Sequence, residues 1–255
     1  SGTIAISGNT DNIGIDVSSF GGAIINTDAD LDGVGSITSS GDGISAEVLG
    51  ATGGITLNSR STVTADNGDA IHTETVDGNQ IITVTGSLDA NNAGLSQDGI
   101  DATTQRGTLN ISTAAGQTVL ADFAGIRAAV TGNGDGGANL VNDGNIIITG
   151  GSVLGTSVNK VATGIIASEL SAGSAGTISA TQNANINASN FGSSTLNNGT
   201  GAVTVNFGTA AGSSLTLTSG NIGINTQSNN AGATGAVNIN VGNSGIGAGT
   251  TTIRP

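Results

Sequence analysis

The stretch "GGITLNSRSTVTADNGDAIHTET", residues 53–75, contains three short runs in which apolar and polar residues alternate. These runs are "GITLN", "TVTAD" and "AIHTE", and Gly, Asn, Asp and Ser stand between them. Alternation over four to eight residues, bounded by turn-forming residues, is typical of a half-buried β-strand. The stretch therefore predicts three short strands in one unit of the chain.

An Ile flanked by small residues recurs along the chain and gives the length of this unit. The recurring residues are Ile15, Ile44, Ile71, Ile100, Ile126, Ile165, Ile224 and Ile246. The steps between them are 29, 27, 29, 26, 39, 59 and 22 residues. The step of 59 fits two units with a degraded copy near "NFGSSTLNNG", and the step of 39 fits one unit plus an insertion. The Gly-rich residues 131–144 are the candidate for this loop insertion.

A repeat of this length with three strands has few structural solutions. In a coil whose turns stack on one another, equivalent residues lie above each other in every turn, whereas an antiparallel meander does not require a fixed repeat. We therefore predict an all-β fold, a right-handed parallel β-helix (solenoid) of about nine turns, with about 28 residues and three short strands per turn. Residues 1–255 are expected to form this single domain.

The composition agrees with a narrow coil. The chain has 44 Gly, four Phe, and no Cys, Met, Trp or Tyr, so Ile, Val, Leu and Ala must form the interior. Corners need residues that tolerate positive φ, such as Gly and Asn. The many Asn and Thr residues after residue 170 favour side-chain ladders between turns.

Charge and hydropathy exclude two classes of partner. The net charge is −13, with 18 acidic residues against five basic ones, so there is no basic stripe for nucleic acid. No apolar run approaches the length of about 20 residues that a membrane-spanning helix needs. The absence of Cys is compatible with export. Because "TIAIS" and "TTTIRP" stand at the two ends without a cap, we expect a segment of a longer solenoid.

The phrases "GGITLNSRSTVTADNGDAIHTET" and "LVNDGNIIITGGSV" resemble the passenger domains of Gram-negative autotransporters, the proteins of type V secretion. The resemblance covers the whole chain through pattern and composition and carries over no functional residue. It implies an extracellular location, either secreted or at the bacterial cell surface on the Gram-negative outer membrane. It also implies an adhesin role, with contact to host matrix, a glycan or a neighbouring cell surface.

Two other function classes stay open. Open β-helix ends can associate with identical copies, which would make the chain a filament or surface-layer subunit that stacks end to end. Some polysaccharide-processing enzymes are also β-helices, but their subsites usually present aromatic faces, and this chain has neither Trp nor Tyr. We therefore predict no enzymatic activity and no catalytic residue.

The acidic run "DADLDG" is the candidate metal site. Asp28, Asp30 and Asp32 alternate as in the first half of a calcium loop, and Gly33 permits the sharp turn. An EF-hand is excluded because Ser39 stands where the bidentate Glu belongs. A looser calcium site and a solvated acidic corner both remain, and no other cofactor is predicted.

The remaining charged residues are expected at the surface. His72 is the single histidine, and Glu74 lies two residues further on the same strand face. One strand cannot supply the further groups that catalysis would require, so a surface role is favoured for His72. Arg60, Arg106 and Arg127 stand at irregular places in the repeat and are expected to be solubilising groups.

Overall fold

The computed structural model describes residues 3–5, 12–27, 35–91, 96–132, 144–172, 174–210, 215–242 and 251–254. Within these ranges the chain forms 24 strands and no helix, and every strand pairing is parallel. The predicted all-β parallel solenoid is thereby confirmed. Its right-handed sense stays a prediction. Among the described residues, no helix has the length and apolar character that crossing a membrane would take.

The strands stack into three sheets that run along the coil. The first sheet contains β1 (Thr3–Ala5), β4 (Ser36–Ser39), β7 (Thr62–Ala65), β10 (Leu88–Ala90), β13 (Thr118–Ala121), β16 (Val153–Leu154), β19 (Ile186–Asn197), β21 (Leu215–Thr218) and β24 (Thr251–Arg254). The second sheet contains β2 (Ile15–Ser19), β5 (Ile44–Val48), β8 (Ile71–Thr75), β11 (Ile100–Thr104), β14 (Ala124–Val130), β17 (Val161–Glu169), β19 again and β22 (Ile222–Ser228). The third sheet contains β3 (Ala23–Asn26), β6 (Ile55–Ser59), β9 (Gln80–Val84), β12 (Leu109–Thr113), β15 (Ile146–Gly150), β18 (Ile178–Gln182), β20 (Val203–Phe207) and β23 (Val237–Val241).

The coil has about six packed turns, fewer than the nine predicted. These turns extend from β5 to β22, whereas β2 at one end and β22 at the other keep their inward side chains partly exposed. Dividing the length by 28 gave too many turns because it assigned every residue to a repeat. The step from Ile126 to Ile165 alone takes 39 residues.

The predicted Ile positions form a continuous column inside the second sheet. Ile44, Ile71, Ile100 and Ile126 are direct neighbours in the parallel register and are fully buried. Burial of one such side chain stabilises the fold by about 1.5–3 kcal/mol. In the degraded copy, Ser193 takes the place of Ile in the column, which accounts for the step of 59 residues.

A column of glycines allows the turns to stack closely. Each of its members stands two residues before the first inward residue of a third-sheet strand: Gly21, Gly53, Gly78, Gly107, Gly144, Gly176, Gly201 and Gly235. A Cβ on Gly107 would lie 1.9 Å from the carbonyl oxygen of Gly78 one turn earlier. None of the eight has a positive φ. The expectation that corner glycines serve positive φ is therefore wrong for this column, which serves close backbone approach instead.

Two sequence predictions fall wholly or largely outside the described residues. Most of the candidate loop insertion, residues 133–143, and the last recurring Ile, Ile246, belong to this undescribed part. The structure places the end of β14 at Val130 and the start of β15 at Ile146, on either side of the insertion. The insertion itself stays a prediction.

Candidate functional site: an acidic cluster and an uncharged sheet face

Three aspartates form a ladder at the corner that leads into the second sheet. Asp42, Asp69 and Asp98 each stand two residues before an Ile of the buried column. The Oδ1 atom of each one accepts a hydrogen bond from the backbone N–H of the equivalent residue in the next turn, which is Asp69 (2.8 Å), Asp98 (2.7 Å) and Ala124 (2.9 Å). The Asp ladder thus satisfies backbone donors that have no other place in the corner.

His72 lies beside two carboxylates from neighbouring turns. Its Nδ1 atom is 3.4 Å from Oδ2 of Asp101 and 3.6 Å from Oδ2 of Asp69. Asp101 lies directly opposite His72 in the register of β8 and β11. The interaction with Asp101, followed by that with Asp69, raises the pKa of His72 to about 10.

Arg127 completes the group from the next strand. Its Nε atom lies 2.6 Å from Oδ2 of Asp98, and its Nη2 atom lies 2.5 Å from Oδ2 of Asp101. Asp98 is only 1% exposed, and this burial raises its pKa to about 7 although Arg127 opposes the shift. Burial also raises the pKa of Asp42, which faces Asp69. We call Asp42, Asp69, His72, Asp98, Asp101 and Arg127 the acidic cluster.

The acidic cluster corrects three expectations. Asp69 and Asp101, rather than Glu74, lie beside His72. Arg127 is an ion-pairing residue of the cluster rather than a solubilising group. Arg106 likewise binds Asp77, through an Nε–Oδ1 hydrogen bond of 2.7 Å and a second contact from Nη2.

A repeated sequence signal could have revealed the Asp ladder. Asp precedes the recurring Ile by two residues in three successive units, "SGDGI", "NGDAI" and "SQDGI". Because equivalent positions stack, this repetition places the three carboxylates in one column.

Asp28, Asp30 and Asp32 lie outside the described residues. The calcium site at these positions therefore stays a prediction.

The second candidate is the outward face of the third sheet, which we call the uncharged face. It comprises two outward residues on each of eight strands: Ile24, Asn26, Thr56, Asn58, Ile81, Thr83, Asn110, Ser112, Ile147, Thr149, Ser179, Thr181, Thr204, Asn206, Asn238 and Asn240. None of these residues is charged. Ile24, Ile81 and Ile147 are exposed at every second turn of one column. By contrast, the outward face of the second sheet carries Glu47, Glu74 and much of the acidic cluster.

Polar side chains of the uncharged face bond to one another along the coil. Asn58 donates to Asn26 (2.8 Å), Asn240 donates to Asn206 (2.8 Å), and Asn206 donates to Thr181 (3.0 Å). The predicted amide and hydroxyl ladders after residue 170 are confirmed by the last two bonds. Because these groups already have partners, removing water from the face leaves fewer of them unsatisfied.

No protein-family model, curated protein or solved structure matches the chain.

Proposed function

We propose that this chain is an adhesin-like segment of a non-enzymatic extracellular protein, presented as a β-solenoid rod at a bacterial surface or secreted. Contact with host matrix, a glycan or a neighbouring cell is made through the uncharged face. The observation that carries the proposal is this eight-strand surface without charge on a chain of net charge −13.

The charge distribution supports contact on this side. Cell surfaces and many matrix polymers are anionic, and the carboxylates of the second sheet repel them. Asn, Thr and Ser on the uncharged face offer donors and acceptors to neutral sugars and peptides, while Ile24, Ile81 and Ile147 add exposed apolar area.

Charge placed on the uncharged face tests the proposal. The purified chain is assayed for binding to matrix proteins, neutral glycans and whole cells, beside the double variant Ile81→Glu/Ile147→Glu. The matched control, Ser168→Glu/Ser194→Glu, adds two acids at outward positions of the second sheet. We expect at least a tenfold loss of binding in the first variant, corresponding to about 1.4 kcal/mol, and little change in the control. Equal losses in both variants would refute the assignment of this face.

A filament of stacked copies is the second candidate, and one observation favours it. Val237, Ile239 and Val241 of β23 are 45%, 48% and 43% exposed. They stand in register with residues of β20 that are buried. Stacking a further turn on β23 would cover this apolar edge. Electron microscopy of the isolated chain separates the two functions, since long uniform fibres favour the filament and dispersed short rods favour the adhesin segment.

The acidic cluster contains the group types that a polysaccharide-processing enzyme would use. However, Asp98 and Asp101 are 1% and 4% exposed and are paired with Arg127, so a sugar would find them covered. Reducing-sugar release from acidic and neutral polysaccharides checks this alternative. Turnover that disappears in Asp101→Asn would replace the adhesin proposal with an enzymatic one.

A further inference from the structure

Three residues of the acidic cluster have the composition and spacing of a metal site. Asp69, His72 and Asp101 each contribute one potential ligand atom, and these atoms lie within 4.8 Å of one another. They come from two successive turns, since His72 and Asp101 are opposite each other on β8 and β11 while Asp69 stands just before β8.

The separations fit metal ligation better than direct hydrogen bonds. An N–H···O hydrogen bond usually measures about 2.7–3.2 Å, whereas Nδ1 of His72 is 3.4 and 3.6 Å from the two carboxylate oxygens. Nitrogen and oxygen ligands lie about 2.0–2.2 Å from a tetrahedral zinc ion, which sets about 3.3–3.6 Å between two ligand atoms. The two measured separations lie at or within this range.

A second observation points to a missing partner. Asp101 is 4% exposed, and its Oδ1 atom has no hydrogen-bond partner although its Oδ2 atom contacts His72 and Arg127. Buried carboxylate oxygens are normally satisfied, because leaving one without a partner costs free energy. The acidic cluster as a whole holds four carboxylates against His72 and Arg127, so an added cation is electrostatically favourable.

We propose that Asp69, His72 and Asp101 form a site for a divalent transition metal of the zinc class. His72 Nδ1 and one oxygen from each carboxylate are three ligands, and water can reach the fourth position because the His72 side chain is 32% exposed. Arg127 and Asp98 hold Asp101 in place from outside the ligand set, as second-layer partners commonly do. The imidazole selects Zn²⁺, Ni²⁺ or Cu²⁺ over Mg²⁺ and Ca²⁺. This site is distinct from the predicted calcium site at Asp28, Asp30 and Asp32.

Zinc titration of the untagged chain tests the site. His72 is the only histidine and there is no Cys, so no other imidazole or thiolate can bind the metal. Calorimetry should show one saturable Zn²⁺ site, and zinc should raise the midpoint of thermal unfolding. His72→Gln and Asp101→Asn should lower the affinity by about 100-fold, and Asp98→Asn by about 10-fold.

Glu74→Gln is the matched control, because it removes an acid from the same face of β8 without touching the three ligands. Its zinc affinity should equal that of the unchanged chain. Binding of equal strength in His72→Gln would overturn the proposal, since it would indicate general attraction to acidic surface. Absence of saturable binding in the unchanged chain would overturn it as well.

A spectroscopic measurement on the unchanged chain avoids any dependence on how the variants fold. Electron paramagnetic resonance of the Cu²⁺-loaded chain should show coupling to one imidazole nitrogen. A copper signal with oxygen ligands alone would contradict His72 as a ligand.

Discussion

Ser193 occupies, in the buried column of the second sheet, the place that Ile165 fills one turn earlier and Ile224 one turn later. The Ser193 residue is 3% exposed, and its Oγ atom has no hydrogen-bond partner. A small cavity beside it is lined by Ile165, Ile224, Phe207 and Leu217. The degraded repeat therefore leaves both an unsatisfied hydroxyl and unfilled space in the core.

Ser193→Val should stabilise the chain. The change removes a buried hydroxyl that has no partner and fills part of the cavity, which together predict a gain of about 1–2 kcal/mol in the free energy of unfolding. Urea unfolding followed by circular dichroism measures it. Ser193→Ala, which removes the hydroxyl but adds no volume, should gain less. A loss of stability in Ser193→Val would show that the site is already filled.

Gly107→Ala should destabilise the coil strongly. The new Cβ would lie 1.9 Å from the carbonyl oxygen of Gly78, so two turns would have to separate. We expect a loss of about 3 kcal/mol in the free energy of unfolding, at the upper end of overpacking effects. Gly21→Ala is the matched control, because Gly21 holds the same position in the end turn and a Cβ there meets nothing within 4 Å. A similar loss in both variants would attribute the effect to the loss of glycine itself rather than to turn contact.

The repeat was predictable because burial is periodic along this chain. Inward positions need apolar side chains in every turn, so Ile44, Ile71 and Ile100 recur at nearly constant steps and fall in register as predicted. The stacking role of the glycines was not predictable from residue preferences alone. Gly suits both positive φ and close backbone approach, and the sequence does not distinguish the two.

The partners of His72 were missed because the sequence was compared along the strand rather than between turns. His72, Asp101 and Arg127 each follow an Ile of the buried column, so the register places them side by side on the outward face. Glu74 is closer in sequence but lies further along β8. In a solenoid the nearest neighbours of an outward side chain are one repeat away.

Two substitutions of Asp42 separate the backbone role of the Asp ladder from its charge. Asp42→Asn keeps an oxygen that can accept the N–H of Asp69 and removes a negative charge that Asp69 repels, so stability should be unchanged or slightly higher. Asp42→Ala leaves that N–H without its acceptor and should cost about 1–2 kcal/mol. Chemical unfolding of both variants beside the unchanged chain provides the comparison. Equal losses in both would mean that the charge, and not the hydrogen bond, stabilises the corner.

The metal-free chain, kept in chelator, should become less stable as the pH rises. The folded-state pKa of His72 is raised to about 10 from 6.5 by Asp101 and Asp69, so its stabilising contribution is complete below pH 6.5 and is lost as the pH rises through about 10. The raised pKa of Asp98 has the same sign, with its contribution present below pH 3.8 and lost through about 7. Screening at the partly exposed His72 limits its share to about 2 kcal/mol.

Unfolding free energies measured between pH 6 and pH 10 check this dependence. His72→Gln has no imidazole to titrate and should show a flatter profile above pH 7, where Asp98 has largely lost its proton and Arg127 keeps its charge. A profile of the unchanged chain that rises towards pH 10 would contradict the raised pKa of His72. A profile that falls equally in His72→Gln would assign the effect to other groups, because the two proteins differ only in whether a proton can bind between Asp69 and Asp101.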